Sequence, residues 1–201
     1  MLAVSKKHNR HAILEATEAG LTDFGENYVN EALEKIQSLQ GSAEAPRNWH
    51  YIGRIQSNKT RDIATHFDWV QTVDRAKIAK RLAAQRPAEL PPLNILIQVQ
   101  VDDEAGHGGV TPDGLAELAA TVAAEDRLQL RGLMCIPQPS EDIESQRKPF
   151  RLLKSLFDEL NAQGYSLDTL SMGMSNDLEA AIMEGTTMIR IGTALFGPRQ
   201  Y

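Results

Sequence analysis

Lys6 ends the strand-like run LAVSK at 2–6, and Lys7 follows it directly. An amine at the end of an apolar strand loses part of its hydration, the condition under which lysine traps a carbonyl as a Schiff base; a solvated strand-end lysine is the ordinary alternative. Strand alternation sends the two lysines to opposite faces, so only Lys6 is expected to turn inward. Near the other end of the chain, Ser175 precedes the helical stretch 176–184 and can N-cap it, where unpaired N–H groups and the helix dipole favour an anion. Gly192 lets backbone approach a ligand closely and Thr193 adds a hydroxyl donor, so Ser175, Gly192 and Thr193 together make a phosphate cup. Taken singly, they read as capping and barrel packing.

Arg190 stands two residues before Gly192 and faces the same way, into an interior where its guanidinium needs an acceptor. The ring nitrogen of a cofactor would serve, and so would Glu26 or Asp102 in a structural ion pair. His50 is the histidine best placed for proton transfer, with a hydrogen-bonded structural role as its alternative. Asn27 and Asn58 lie at or after strand ends on the same expected face. Met134 reads as core packing or a cofactor contact, and Met172 and Met174 likewise. His107 lies in the glycine-rich AGHGG loop and reads as mobile.

The elements that must carry these groups alternate along the whole chain. Strand-like runs at 2–6, 23–27, 49–53, 69–73, 94–101, 128–136, 169–174 and 188–197 are separated by helical stretches. Asp74 is positioned to cap the fourth helix, Thr111-Pro112 opens the fifth, and an amphipathic helix at 143–163 buries Phe150, Leu153, Leu156, Phe157 and Leu160 before Gly164. Eight such units predict an α/β (β/α)8 TIM barrel; an open doubly wound sheet uses the same alternation. In the barrel the strand C-terminal ends form the active face, which is where the polar groups above collect.

Composition narrows the function classes. The 201 residues suit a single domain spanning 1–201. With 21 basic against 27 acidic residues, the net charge of −6 gives no general attraction for nucleic acid or anionic membrane, so any anion is held locally. Cys135 is the one cysteine, which excludes an intrachain disulfide and a cysteine-based zinc site, is expected to be buried and inert, and fits a reducing compartment. No apolar run reaches the roughly 20 residues of a membrane span and no signal-peptide core is present, so a cytoplasmic address is expected, and separately the chain is expected to be a monomer. Beginning on strand sequence at Met1 leads to the expectation that an N-terminal helical segment is missing.

Several long blocks carry a family resemblance: LAVSKKH at 2–8, FGENYVNEALEKI at 24–36, WHYIGRIQSNK at 49–59, RGLMCIP at 131–137, LSMGMSNDLEAAI at 170–182 and MIRIGTALFG at 188–197. In these the sequence resembles the pyridoxal phosphate homeostasis family, single-barrel relatives of the alanine racemase N-terminal domain. The resemblance implies that Lys6 carries pyridoxal 5'-phosphate (PLP) as a Schiff base, that Asn27 lies near it, that Ser175, Gly192 and Thr193 hold its phosphate, and that Arg190 faces the pyridine nitrogen. Members usually carry one more helical segment ahead of the first strand, and His107 stands where many have lysine.

Alanine racemases use acid/base groups on both faces of the cofactor, the second from a further domain. Tyr201 falls four residues past the last strand-like run, so that face is expected to be open. An arginine opposite the ring nitrogen also disfavours its protonation and weakens the electron sink. The expectation is a PLP carrier without efficient catalysis, serving PLP-dependent apo-enzymes. The competing readings are a slow amino-acid racemase or lyase, using Lys6 with His50 or water, and a sugar-phosphate enzyme using the same cup without cofactor.

Overall fold

The computed structural model describes residues 1–42, 45–102 and 108–197. Asp103, His107 and Tyr201 lie outside the described residues, and with them the expectations about the AGHGG loop and the chain end. Eight strands form one parallel sheet: β1 (Leu2–Val4), β2 (Asp23–Glu26), β3 (Asn48–Tyr51), β4 (Trp69–Val73), β5 (Leu93–Gln98), β6 (Leu128–Met134), β7 (Thr169–Ser171) and β8 (Arg190–Ile191). Between and after them run α1 (Arg10–Glu18), α2 (Val29–Leu39), α3 (Thr60–His66), α4 (Ala76–Gln85), α5 (Pro112–Ala123), α6 (Ile143–Ala162), α7 (Leu178–Met183) and α8 (Thr193–Phe196). The sheet order β7-β6-β5-β4-β3-β2-β1-β8 follows the chain, and a parallel bridge from Ser171 to Met188 joins its two ends. Backbone bonds from Met172 to Met188 and from Arg190 to Gly173 extend that seam. The result is the expected (β/α)8 barrel, not the open sheet.

Periodicity explains the layers. The faces of β1 to β7 that meet the helices carry Ala3, Phe24, Trp49, Tyr51, Val70, Ile95, Ile97, Leu133 and Leu170, which pack with Ile13, Ile63, Ile78, Leu82, Leu118 and Phe150 from the helices in one buried cluster. The barrel lumen is different. Beside apolar residues, among them a small separate cluster of Trp69, Leu96 and Met134 and the buried Leu2, it holds polar side chains: His50, Gln71, Ser171 and Arg190 are all buried. Gln71 on β4 bonds Ser171 on β7, and because these strands are not neighbours the contact must cross the lumen.

Several local expectations are corrected. The last run is not a strand through 188–197: the chain leaves the sheet at Gly192 (φ −116°, ψ −85°) and turns into α8. The run read as strand to 174 ends at Ser171, ahead of Gly173, whose φ of 92° turns the chain. Asp74 does not cap α4; its carboxylate pairs with Arg75, which occupies the cap position without a side-chain bond. Thr111 does stand at the α5 N-cap with Pro112 first in the helix, though its hydroxyl makes no capping bond. Asp142 caps α6 through the Ser145 N–H at 2.8 Å.

Candidate functional site

At the strand C-terminal ends lies a cavity of about 1230 Å³. Seven of the expected residues line it: Lys6, Asn27, Met134, Ser175, Arg190, Gly192 and Thr193. His50 and Asn58 are not brought there. Asn58 is exposed in the 3-10 turn before α3. His50 is fully buried below the cavity, its Nε2 at 3.1 Å from Asp23 Oδ1 at the start of β2 and its Nδ1 at 3.0 Å from Gln71 Nε2. The strand position was read correctly, but the ring turns toward the opposite end of the barrel.

Lys6 owes its direction to a turn rather than to strand alternation, since β1 ends at Val4 and Lys7 adopts a left-handed backbone with φ 63°. That conformation is uncommon for a residue with a side chain and persists only where surroundings impose it. They do so here through charge. Lys35 of α2, itself buried, donates to the Ser5 carbonyl (2.8 Å), to Glu26 Oε1 (2.7 Å) and to Glu31 Oε1 (2.7 Å). The Ser5 hydroxyl donates to Glu26 Oε1 at 2.6 Å, and the Lys7 N–H donates to Glu31. Both peptide neighbours of Lys6 are therefore held from β2 and α2. Burial pushes the Glu26 carboxyl up, opposed by the Lys35 ammonium and the Ser5 hydroxyl. The rings of His8 and Phe196 stack at 4.9 Å and join this loop to α8.

On β8, the strand paired with β1, Arg190 is buried and donates from Nη1 to Ser171 Oγ and from Nη2 to the Cys135 carbonyl, each at 2.9 Å. The expected ion-pair alternatives are not formed: Glu26 pairs with Lys35, and Asp102 accepts from the Gln138 N–H at 2.8 Å. Among the described residues Arg190 makes no ion pair. A buried guanidinium with two neutral acceptors retains N–H donors for a further partner. Burial pushes the Cys135 thiol up to about 12, so this cysteine is an inert core residue.

Ser175 reaches the cavity without capping α7. That helix starts at Leu178 after Asp177, whose carboxylate accepts the Met174 N–H and closes a turn, which leaves Ser175 exposed on the cavity rim. Gly192 is not demanded by tight packing, because an added Cβ would stand 3.4 Å from the Val4 carbonyl. In α8 the Leu195 and Phe196 N–H groups bond the Gly192 carbonyl, which leaves those of Thr193 and Ala194 without an intrahelical acceptor.

Two contributors escaped the sequence reading. The loop between β6 and α6 supplies Pro137, Gln138, Pro139, Ser140 and Glu141 to the cavity wall, together with Gln146 of α6. Its paired prolines were the available signal. Gly53 backs Asn27, since a Cβ there would fall 2.1 Å from the Asn27 carbonyl oxygen. Asn27 Oδ1 is buried with no protein partner, an acceptor waiting for a donor.

The fold and this polar mouth define a barrel of the alanine racemase type, and comparison with known proteins agrees. The family model "Alanine racemase, N-terminal domain" matches residues 1–200. The "Pyridoxal phosphate homeostasis protein" of Pseudomonas aeruginosa is 56% identical over 201 residues, covering 100% of this chain and 85% of that protein. The Escherichia coli protein of the same name is 51% identical, covering 100% and 86%. Among solved structures, PipY of Synechococcus elongatus with PLP bound superposes with a TM-score of 0.90 at 36% identity, covering 98% of this chain and 92% of that one. An alanine racemase of Clostridium difficile shares the fold at a TM-score of 0.75, with 14% identity and 51% of its chain covered. The chain belongs to the pyridoxal phosphate homeostasis family within the alanine racemase N-terminal domain group.

Proposed function

We propose that this chain binds PLP through Lys6 and acts in PLP homeostasis as a carrier, without efficient catalysis of its own. The observation that carries this reading is the meeting, on one cavity, of a backbone-clamped lysine, a buried arginine with donors to spare, and the Ser175, Gly192 and Thr193 rim. The names of the relatives and the PLP bound to PipY support the same cofactor.

The residues fit the group chemically. The Lys6 amine suits an aldehyde, the rim hydroxyls with the Thr193 and Ala194 N–H groups suit a phosphate, and Arg190 suits a ring nitrogen that accepts a hydrogen bond. The orphaned Asn27 oxygen suits a donor on the ligand. When bound, PLP supplies an electrophilic carbonyl and a conjugated ring able to accept electrons. The protein restrains that second capacity. Arg190 is permanently protonated, so it donates to the ring nitrogen and disfavours a proton there.

The carrier reading is favoured over a slow racemase by what lines the cavity. Among the described lining residues the ionisable side chains are Lys6, Glu141, Asp177 and Arg190, and His50, one of the two second groups open to a racemase, is engaged below with Asp23 and Gln71. Recipients would be PLP-dependent apo-enzymes, served by a cytoplasmic monomer. Among the described residues no helix is long and apolar enough to cross a membrane. The test mixes the PLP-loaded protein with a panel of amino acids in deuterated water. A carrier leaves the α-protons unexchanged over hours, whereas rapid deuterium uptake at the α-carbon would establish an enzyme.

A further inference from the structure

Arg190 is the first member of a hydrogen-bonded line that runs the length of the barrel lumen. Its Nη1 donates to Ser171 Oγ (2.9 Å), the Ser171 hydroxyl donates to Gln71 Oε1 (2.7 Å), Gln71 Nε2 lies 3.0 Å from His50 Nδ1, and His50 Nε2 lies 3.1 Å from Asp23 Oδ1. Four strands contribute, β8, β7, β4 and β3, and the line ends on β2.

The polarity of every link follows from its two ends. Arginine has only donors, so Ser171 must accept from it and spend its own hydrogen on Gln71. The amide then presents oxygen to Ser171 and nitrogen to His50, which makes Nδ1 the acceptor and puts the ring hydrogen on Nε2. At the far end Asp23 is held as a carboxylate, its pKa well below the ordinary value chiefly because of this histidine, with the Thr22 hydroxyl and Asn48 amide as further donors. A flipped Gln71 amide would set its NH2 against Ser171 and strand the hydroxyl hydrogen. It would also force His50 to present a bare nitrogen to a carboxylate. One arrangement therefore satisfies all five residues.

The line has no use as a plain filler. Branched aliphatic side chains are the common solution for such lumens, and here polar side chains occupy the layers directly beneath the cavity. What the line does is occupy one edge of the Arg190 fork with a fixed acceptor, while the Cys135 carbonyl occupies the other nitrogen. The plane of the guanidinium is then set, and so is the direction of the donors that remain.

We propose that Ser171, Gln71 and His50 are positioning residues that orient Arg190 from below and so set the hydrogen-bonding state of the ring nitrogen of bound PLP. This rests on the PLP reading above, and the test separates the two. Wild-type protein is loaded with PLP labelled with nitrogen-15 in the ring, reduced with borohydride in one aliquot and kept native in another. Adduct mass on Lys6 in the reduced aliquot checks the PLP reading; its absence sinks that reading before the second is reached.

The native aliquot is then compared with Gln71→Met, close in volume but without hydrogen-bonding amide atoms, and with Ser171→Ala and Ser171→Thr. The expected result is a displaced ring nitrogen-15 resonance and a displaced visible absorption maximum in Gln71→Met and Ser171→Ala, with Ser171→Thr returning both toward wild type. A purely structural role would lower the melting temperature and leave the two spectra where they were. Ring resonances and absorption maxima that coincide with wild type in both loss variants would overturn the proposal. If Ser171→Ala does not fold, Gln71→Met alone decides it, and if that fails too, the Arg190 guanidinium resonances of wild type decide: the line requires slow rotation and slow hydrogen exchange, and fast averaging contradicts it.

Discussion

The neighbouring strands β1 and β8 deliver two cavity groups that are held by opposite means, charge under Lys6 and neutral hydrogen bonds under Arg190. Beneath the lysine, one ammonium and two carboxylates converge within 2.7 Å contacts, and the carboxylate of Glu26 is fully buried. Beneath the arginine, the two partners are a hydroxyl and a carbonyl, an amide follows behind the hydroxyl, and the nearest formal charge in the line is Asp23 at its far end. The difference matches what each group would have to do in the proposed PLP binding. A nucleophilic amine needs its backbone fixed at a turn with a left-handed residue, which strong contacts from α2 can enforce. A ring-nitrogen partner needs its own charge undiluted, and a neighbouring carboxylate would compete for the donors.

The contrast predicts unequal responses to damage. Lys35→Met strands the buried Glu26 carboxylate and is expected to destabilise the fold by about 3–5 kcal/mol, read by urea unfolding. The loss should depend on pH. Lys35 opposes the burial that raises Glu26, so without it the folded carboxyl rises further above 4.5, the folded state holds a proton that the unfolded state releases, and stability falls as pH climbs past that value.

Asp23→Asn tests the far end of the neutral line. Asp23 is depressed in the folded state, so its contribution is present above the ordinary carboxylate value of 3.8 and fades as pH falls below it. The variant should be less stable than wild type by about 1–2 kcal/mol at neutral pH, and the gap should narrow in acid. A gap that widened in acid would break the account of that network. The smallest effect is expected from Glu31→Gln. Glu31 is partly exposed and shares Lys35 with Glu26, and glutamine can still accept the Lys7 N–H, so the loss should stay below about 1 kcal/mol.

Much of this was legible before the structure. The run at 69–73 is β4 residue for residue, and the helix read at 143–163 is α6 to within one residue, because long periodic patterns with a cap and a closing glycine leave few alternatives. The short strands at the seam were over-extended, since Gly173 and Gly192 turn the chain in ways that apolar content does not announce. The strand-end reading brought Lys6 and Arg190 to the cavity that they line, although Lys6 is aimed by a turn rather than by strand alternation. His50 was misplaced because a strand position says which face a side chain takes and not which way along the barrel its ring leans. Lys35 was passed over for a similar reason. With Glu31 it reads as an ordinary surface pair four residues apart on a helix, and only tertiary packing reveals that it is buried against Glu26.

The central claim is that one amine, Lys6, takes the cofactor, because the clamp beneath it sends its neighbour outward. Adding PLP to wild type, Lys6→Ala and Lys7→Ala and recording absorption spectra tests this directly. The account predicts the band of lysine-bound cofactor in wild type and Lys7→Ala and its loss in Lys6→Ala. Loss in Lys7→Ala with retention in Lys6→Ala would contradict it.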